Sequence, residues 1–485
     1  MMNFASTQNG GVLKQGQIPE LPFASFRAQI IDAVAEQHRV VAFFAKPHQG
    51  RFKLFAILAP MSGRSLLVCQ SEVRGDFETL TLDCPQMHMF EREIYENWHV
   101  KPVGHPFLKP VRQQLSYNDF FAVTGTDIHE VAVGPVHAGV IEPGHFRFQC
   151  HGESVLHLEI ALGFQHRGIE RAIPMLPAKR IIFEMETIAG DTSIGHAMAY
   201  CNNVESLSGS AVSPRAELLR GIMLELERLA NHTGDLGALA GDVGFLPTAS
   251  YCGRLRGDFL NATARICGSR LGRNMVRPGG VRFDIDDARR AELHANLEAA
   301  KRDVMNAVAL LWKSPSAMAR FEETGHLSEH DCLALGLVGM AARASGVGHD
   351  VRTEFPRGAY AQIAVPMIVK KSGDVYARAR MRWREIKTSL DFIDAALQQL
   401  EAGTLKSSVG AMEKDALVIN LVEGWRGEIC HIGLTNTEGR FEQYKIIDPS
   451  FHNWFGLAMA LRNQQISDFP LCNKSFNLSY CGHDL

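Results

Sequence analysis

Gly163-Phe164-Gln165-His166-Arg167-Gly168-Ile169-Glu170, with Ala189-Gly190-Asp191-Thr192 close behind it, stands where one kind of sequence gives way to another. On its amino side, residues 131–163 alternate apolar and polar side chains in short runs, at Val131–Val133, His145–Gln149 and Val155–Glu159. That is the period of an antiparallel sheet. From Pro174 onward the period is helical. Ser213-Pro214 sets a capping hydroxyl before a proline at the first helical position, and Leu218, Ile222, Leu226 and Leu229 follow at helical spacing.

Helical patterns recur over Tyr251–Gly272 and Ile285–Trp312, broken by Arg277-Pro278-Gly279-Gly280-Val281. After Lys371-Ser372-Gly373-Asp374, the residues Ile386, Leu390, Ile393, Leu397 and Leu400 step by four and three, a seam for packing on a neighbouring helix. Toward the N-terminus the reading is different. A helix near Phe26–Glu36 precedes strands at Arg39–Phe44, Phe52–Leu58, Ser65–Cys69 and Thr79–Leu82, with breaks at Pro47–Gly50 and Ser62-Gly63. A short amphipathic helix over Phe90–Trp98 and a linker over Leu108–Tyr117 close this part. The expected fold class is therefore α+β. Residues 1–118 form a small α/β sandwich domain, and residues 119–485 a mainly helical bundle with peripheral antiparallel β elements.

Composition narrows the function classes. A chain of 485 residues can bury a large core in two domains. Its formal net charge of −3 gives no basic face for nucleic acid. No apolar run reaches the roughly 20 residues a membrane span needs, and Met1–Gly10 lacks the charged and apolar regions of a signal peptide. The cytoplasm is the expected compartment. Ten cysteines are scattered without a Cys-x-x-Cys pair, so iron–sulfur and structural zinc sites are not expected within this chain. No Gly-x-Gly-x-x-Gly motif supports binding of a nicotinamide cofactor.

The opening stretch resembles the first signature of nickel–iron hydrogenase large subunits. There Arg-Gly-x-Glu is followed, at the same interval, by Arg-x-Cys-Gly-x-Cys. In this chain the second half falls on Thr187-Ile188-Ala189-Gly190-Asp191-Thr192, with both cysteines replaced. Glu225–His232 and the turn at Arg277–Val281 are similar to the corresponding parts of that family and of the forty-nine-kilodalton subunit of complex I. So is Val422-Glu423-Gly424-Trp425-Arg426-Gly427-Glu428, where Trp425 stands in place of a proline. Gly134–Phe146 resembles a hairpin of the group 4 energy-converting hydrogenases and complex I, and Phe441–Trp454 a strand and turn of the former. Glu91-Arg92-Glu93 followed by Gly104-His105-Pro106 resembles the thirty-kilodalton subunit of complex I, fused here at the N-terminus. The nearest pattern is that of cysteine-lacking, energy-converting-hydrogenase-related large subunits, similar to hydrogenase-4 component G.

The resemblance implies a site. Four thiolates hold the metal in the family; their positions here carry Ala189, Thr192, Cys481 and Asp484. A nickel–iron centre is not expected from that set, because such a site selects soft, deprotonated thiolates. Glu170, Arg426 and His196 match the family's acid, guanidinium and histidine and form a candidate proton relay. His137, His145 and Glu142 lie on the hairpin that carries a quinone-site histidine in complex I. The quinone-binding tyrosine of complex I falls on Gly190.

The implied role is the large subunit of a membrane-associated, complex I-like oxidoreductase that couples electron transfer to ion translocation. It is not expected to be an active hydrogenase and carries no cofactor of its own. The partners implied are a small subunit, like the twenty-kilodalton subunit of complex I, holding an iron–sulfur cluster, antiporter-like membrane subunits, and other hydrophilic electron-transfer subunits. Its place is peripheral, on the cytoplasmic side of the inner membrane. Two other readings stay open, a quinone-reducing subunit of an NADH dehydrogenase-like complex and a non-catalytic scaffold.

Overall fold

The computed structural model describes residues 2–61, 63–112, 120–137 and 141–485. Strands β1 (Ala5–Gln8) and β2 (Val12–Lys14) open the chain, and α1 (Phe23–Ala35) follows. Then come β3 (Arg39–His48), β4 (Arg51–Ala59) and β5 (Ser65–Val73). They form an antiparallel sheet in the order β1-β5-β4-β3. Phe26, Ile30 and Ala33 face it from α1 at helical spacing, and α2 (His88–Trp98) adds Phe90 and Ile94.

The strand expected at Thr79–Leu82 does not form, although Phe77–Glu78 pairs briefly with Pro102–Val103. The Glu91 carboxylate accepts from the Leu80 amide at 2.6 Å and from the hydroxyls of Thr79 and Thr81. This draws the segment into a loop over α2. The expected domain boundary at 118/119, residues 113–117 of the expected linker, Ser62, and Ala138-Gly139-Val140 of the hairpin lie outside the described residues.

Antiparallel strands β6 (Ile128–Val133), β7 (His145–His151) and β8 (Ser154–Ala161) match the expected second sheet. The helical part is built on α3 (Ser193–Ser208), α4 (Pro214–Asp242), α5 (Leu246–Cys267), α6 (Asp287–Trp312) and α7 (Val375–Gln398). The Ser213 hydroxyl accepts from the Ala216 amide, which realises the start signal of α4. Along α7 the buried residues include Ile386, Leu390, Ile393 and Leu397, so the seam is core.

Two expectations change here. The C-terminal strands β9 (Ala416–Glu423), β10 (Glu428–Thr435) and β11 (Phe441–Ile447) are not peripheral. Every residue of β9 and β10 is buried. They run on apolar residues because both faces are covered: α3 packs on one, and residues of the N-terminal sheet share a core with the other. The second change is at Phe441–Trp454, expected as strand and turn. The strand ends at Ile447, where the Asp448 carboxylate accepts from the Ser450 amide and Pro449 starts α8 (Pro449–Ala460). The chain closes with α9 (Tyr480–Asp484).

Candidate functional site

The loop Gly163–Glu170 is held by the end of the chain. The Asp484 carboxylate accepts from the amides of Gly163 (2.8 Å) and Gln165 (2.9 Å), and the Arg167 amide donates to the Leu485 carbonyl at 2.7 Å. Arg167 then spans to the second half of the signature, donating to the carbonyls of Thr187, Ile188 and Cys481. So Arg167 ties both halves of the signature to α9. Gly163 has φ +103°, and a methyl group there would lie 2.2 Å from the Arg112 carbonyl oxygen. Only glycine fits.

The four positions that hold thiolates in the resembling hydrogenases carry a different donor set here. Ala189 offers none. The Thr192 hydroxyl accepts from the Trp425 indole (3.1 Å) and from Arg426 (3.3 Å). Asp484 is spent on the loop. Cys481 keeps the one thiol of the set, and burial and the neighbouring Glu142 carboxyl push it up to about 11. These residues do not fit a nickel–iron group. Among the described residues no cluster of three His, Cys, Asp or Glu side chains is placed to hold a metal ion.

What occupies the cleft wall instead is an internal ion pair. Arg426 reaches both Asp191 oxygens, at 2.7 and 2.8 Å, and its Nε donates to the Asn477 carbonyl. Its guanidinium lies 3.9 Å over the Trp425 ring. Trp425, at the family's proline position, donates its indole N–H to the Asp191 carbonyl at 3.0 Å and to Thr192. Burial works against the Arg426 charge, yet Asp191 outweighs it and leaves the guanidinium more basic than usual.

Behind this wall Arg228 donates to the carbonyls of Glu423 and Gly424 and fixes the backbone that aims Trp425 and Arg426. Arg228 belongs to a buried cluster in which Glu225, Glu385, Asp350 and Glu423 face Arg228, Arg343 and Arg352. Burial and Asp350 push Glu423 up to about 7.

His196 sits on α3 at the head of a buried hydrogen-bond chain. Its Nε2 is 3.1 Å from Asp448, its Nδ1 is 3.0 Å from His431 Nε2, and His431 Nδ1 is 3.0 Å from the Tyr444 hydroxyl. The Asn203 amide donates to Tyr444, Asn420 donates to Asn203, and Arg357 donates to Asn420. Arg357 can only donate, which fixes the two amides, and the Asp448 carboxylate can only accept, which fixes both imidazole tautomers and the Tyr444 hydroxyl. Tyr444 donates to His431, His431 to His196, and His196 to Asp448. The chain runs one way, from a cation to a carboxylate. Burial holds His431 well below the ordinary imidazole value, hence neutral. Burial pushes Asp448 up, but the His196 hydrogen bond, with the Arg426 charge, outweighs it and keeps Asp448 ionised. A methyl group on Gly482 would lie 2.7 Å from this carboxyl, so it abuts the cleft through α9.

Glu170 does not join His196 and Arg426. It accepts from Lys445 Nζ (3.0 Å) and from the Ile446 amide (2.7 Å). Lys445 also binds Glu93 at 2.7 Å, and Glu93 pairs with Arg112. Burial raises Glu93, but Lys445 and Arg112 overcome it and bring it to about 2. The three expected relay groups thus fall into two clusters, because Glu170 is bound by the Lys445 ammonium and the Ile446 backbone amide of β11 while Asp448, past the strand's end, meets His196. On the hairpin, His137 Nε2 meets the Gly144 carbonyl at 2.7 Å and His145 Nδ1 the Gly134 carbonyl at 3.3 Å, contacts within the hairpin itself. Glu142 reaches across to accept from the Cys481 amide at 3.5 Å, and the His145 ring lies 5.1 Å from that of Phe120.

Asp191, Asp448, His431, Tyr444 and Glu227 were not among the candidates. The signal for His431 is a histidine inside the otherwise apolar run Ile429-Cys430-His431-Ile432, which demands a buried polar partner. Glu227 accepts from the amides of Ile194 and Gly195 at the start of α3, and burial pushes it up to about 8.

Comparison with known proteins agrees with this geometry. The model of the respiratory-chain NADH dehydrogenase 49 kDa subunit matches residues 242–416. The carbon monoxide-induced hydrogenase of Rhodospirillum rubrum is 31% identical over 354 residues, 72% of this chain and 97% of that one. Subunit 4 of the NADH-quinone oxidoreductase of Thermus thermophilus is 32% identical, over 71% of this chain and 90% of its own. Formate hydrogenlyase subunit 5 of Escherichia coli is 28% identical, over 89% and 81%. The chain belongs to the family that unites hydrogenase large subunits with the forty-nine-kilodalton subunit of complex I.

Proposed function

We propose that this chain is the large subunit of a membrane-associated, complex I-like oxidoreductase of the energy-converting-hydrogenase-related type, working without a nickel–iron centre of its own. The observation that carries this reading is the fate of the thiolate positions. One is a methyl group, one a hydroxyl bound by Trp425 and Arg426, one a carboxylate bound by the signature loop, and one a thiol raised to about 11. Its N-terminal part acts as a fused domain like the thirty-kilodalton subunit of complex I. Among the described residues no helix is long and apolar enough to cross a membrane. The chain accordingly sits peripherally, against a small subunit that holds an iron–sulfur cluster and above antiporter-like membrane subunits.

In that setting the one-way chain Tyr444–His431–His196–Asp448 is the proton-handling element of the cleft. His196 Nε2 keeps its proton on the Asp448 carboxylate, and the hydrogen bonds from Tyr444 through His431 hold that orientation. A cluster held by the partner beside this wall would act on the Asp448 charge and, through it, on His196. The test is metal analysis of the purified complex together with hydrogen–deuterium exchange from the gas. The expected result is no stoichiometric nickel and no gas exchange, with ion translocation reduced at least tenfold by His196→Phe. Nickel bound at residues 189, 192 and 481 would overturn the reading. Full ion translocation in His196→Phe, His431→Phe and Arg426→Met would leave the scaffold reading in its place.

A further inference from the structure

A second cavity of about 580 Å³ lies away from this cleft, between α2, the loop after it, β8 and α8. Its size is that of a small-molecule pocket, and its walls are mostly apolar, with Met89, Phe107, Leu158 and Phe455 among them. Two features make it more than a packing defect. The first is Arg92, which lines it. The guanidinium is buried, donates to the carbonyls of Lys109 (2.7 Å) and Pro110 (2.8 Å), and contacts the Met89 sulfur. Among the described residues it has no carboxylate at ion-pair distance. Glu96 and Glu159, the acidic groups that act on it from farther off, bind the Arg112 amide and Lys109 respectively. Burial brings Arg92 down to about 10, and its charge helps hold the His88 imidazole at about 3.

The second feature is a set of unpartnered polar atoms. Trp454 Nε1, His157 Nε2 and His483 Nε2 are buried without a hydrogen-bond partner among the described residues, and all three side chains line this cavity. A buried cation without a counter-ion calls for an anion.

We propose that this cavity binds an anionic amphiphile, a carboxylate with an apolar body of medium-chain size, its head on Arg92 and its tail among Phe107, Leu158 and Phe455. The ligand class follows from the lining: a buried guanidinium with no carboxylate at ion-pair distance among the described residues, and walls that are mostly apolar. The proposal does not depend on the redox reading, although His483 of the lining belongs to α9.

The test uses the full-length chain and two probes of equal length, octanoate and 1-octanol, titrated by calorimetry. Octanoate is expected to bind saturably at one site and at least tenfold more tightly than octanol. Arg92→Met is expected to bring the two affinities together. Because Arg92 also holds the Lys109 and Pro110 carbonyls, Ala458→Phe serves as a second variant. It fills the cavity, leaves Arg92 in place and is expected to bind neither probe. No saturable binding of octanoate, equal affinity for octanoate and octanol, or octanoate binding undiminished in Ala458→Phe would each overturn the proposal.

Discussion

Asp191 carries the difference between this cleft and a metal site. It was visible in the sequence only as the residue between a lost cysteine and its neighbour, and nothing local shows that Arg426 will meet it, because 235 residues separate them. Asp191→Asn leaves the guanidinium without its counter-charge. The pair is partly exposed on the Asp191 side, so the expected loss is about 2 kcal/mol, read from the midpoint and slope of urea unfolding. Glu227, on the same wall, sets a pH dependence. Its carboxyl titrates at about 8 in the folded chain against an ordinary 4.5. The folded state therefore holds this proton more tightly than the unfolded one. The stability it contributes is complete below pH 4.5 and is lost as pH rises toward 8. Glu93, brought down to about 2, acts in the opposite sense and contributes only as pH rises from 2 to 4.5. The stability of the wild-type chain relative to Glu227→Gln, both measured by urea unfolding, is expected to fall by about 3 kcal/mol between pH 5 and 8.

At the scale of elements, the helices were the most legible part, because their period and caps are local. Ser213-Pro214 began α4 and the four-three step marked the buried side of α7. Strands were harder. Thr79–Leu82 has strand composition but answers to Glu91, ten residues on, and the apolar runs of β9 and β10 do not reveal that both faces are covered. The signature loop was legible in its own frame, but its tether was not. The Asp484 carboxylate that fixes Gly163 and Gln165 lies 321 and 319 residues away. Asp484→Ala removes two charge-assisted hydrogen bonds, each worth about 2 kcal/mol. Amide exchange at Gly163 and Gln165 is expected to speed up at least tenfold, while the amides of α4 keep their protection. Unchanged exchange at both glycine and glutamine would show that Arg167 alone holds the loop.

For the molecule as a whole, the N-terminal and large parts are not separable by a linker. Strand β2 pairs with β9, not with the sheet of its own neighbours, so two antiparallel sheets are stitched by one short turn. Leu417, Ile419, Leu421, Ile432 and Leu434 of the C-terminal sheet share a core with Phe43, Phe55 and Ile57 of the N-terminal one. Arg39 and Glu428 form a buried two-point ion pair across the same contact, at 2.7 and 2.6 Å. Uncovering five such aliphatic side chains costs about 10 kcal/mol, as much as the whole stability of an ordinary domain. The sequence suggested two domains because its period changes near residue 120, and period reports what each segment is, not what it packs on. A fragment of residues 1–112 expressed alone is therefore expected to lack a cooperative unfolding transition and to bind 8-anilinonaphthalene-1-sulfonate. Co-expressed with residues 120–485, it is expected to co-purify as a stable pair. Arg39→Met in the fragment would weaken that pairing at least tenfold, because it leaves Glu428 buried and unpaired. A fragment that unfolds cooperatively by itself, with no dye binding, would show that the shared core is an interface between two finished domains.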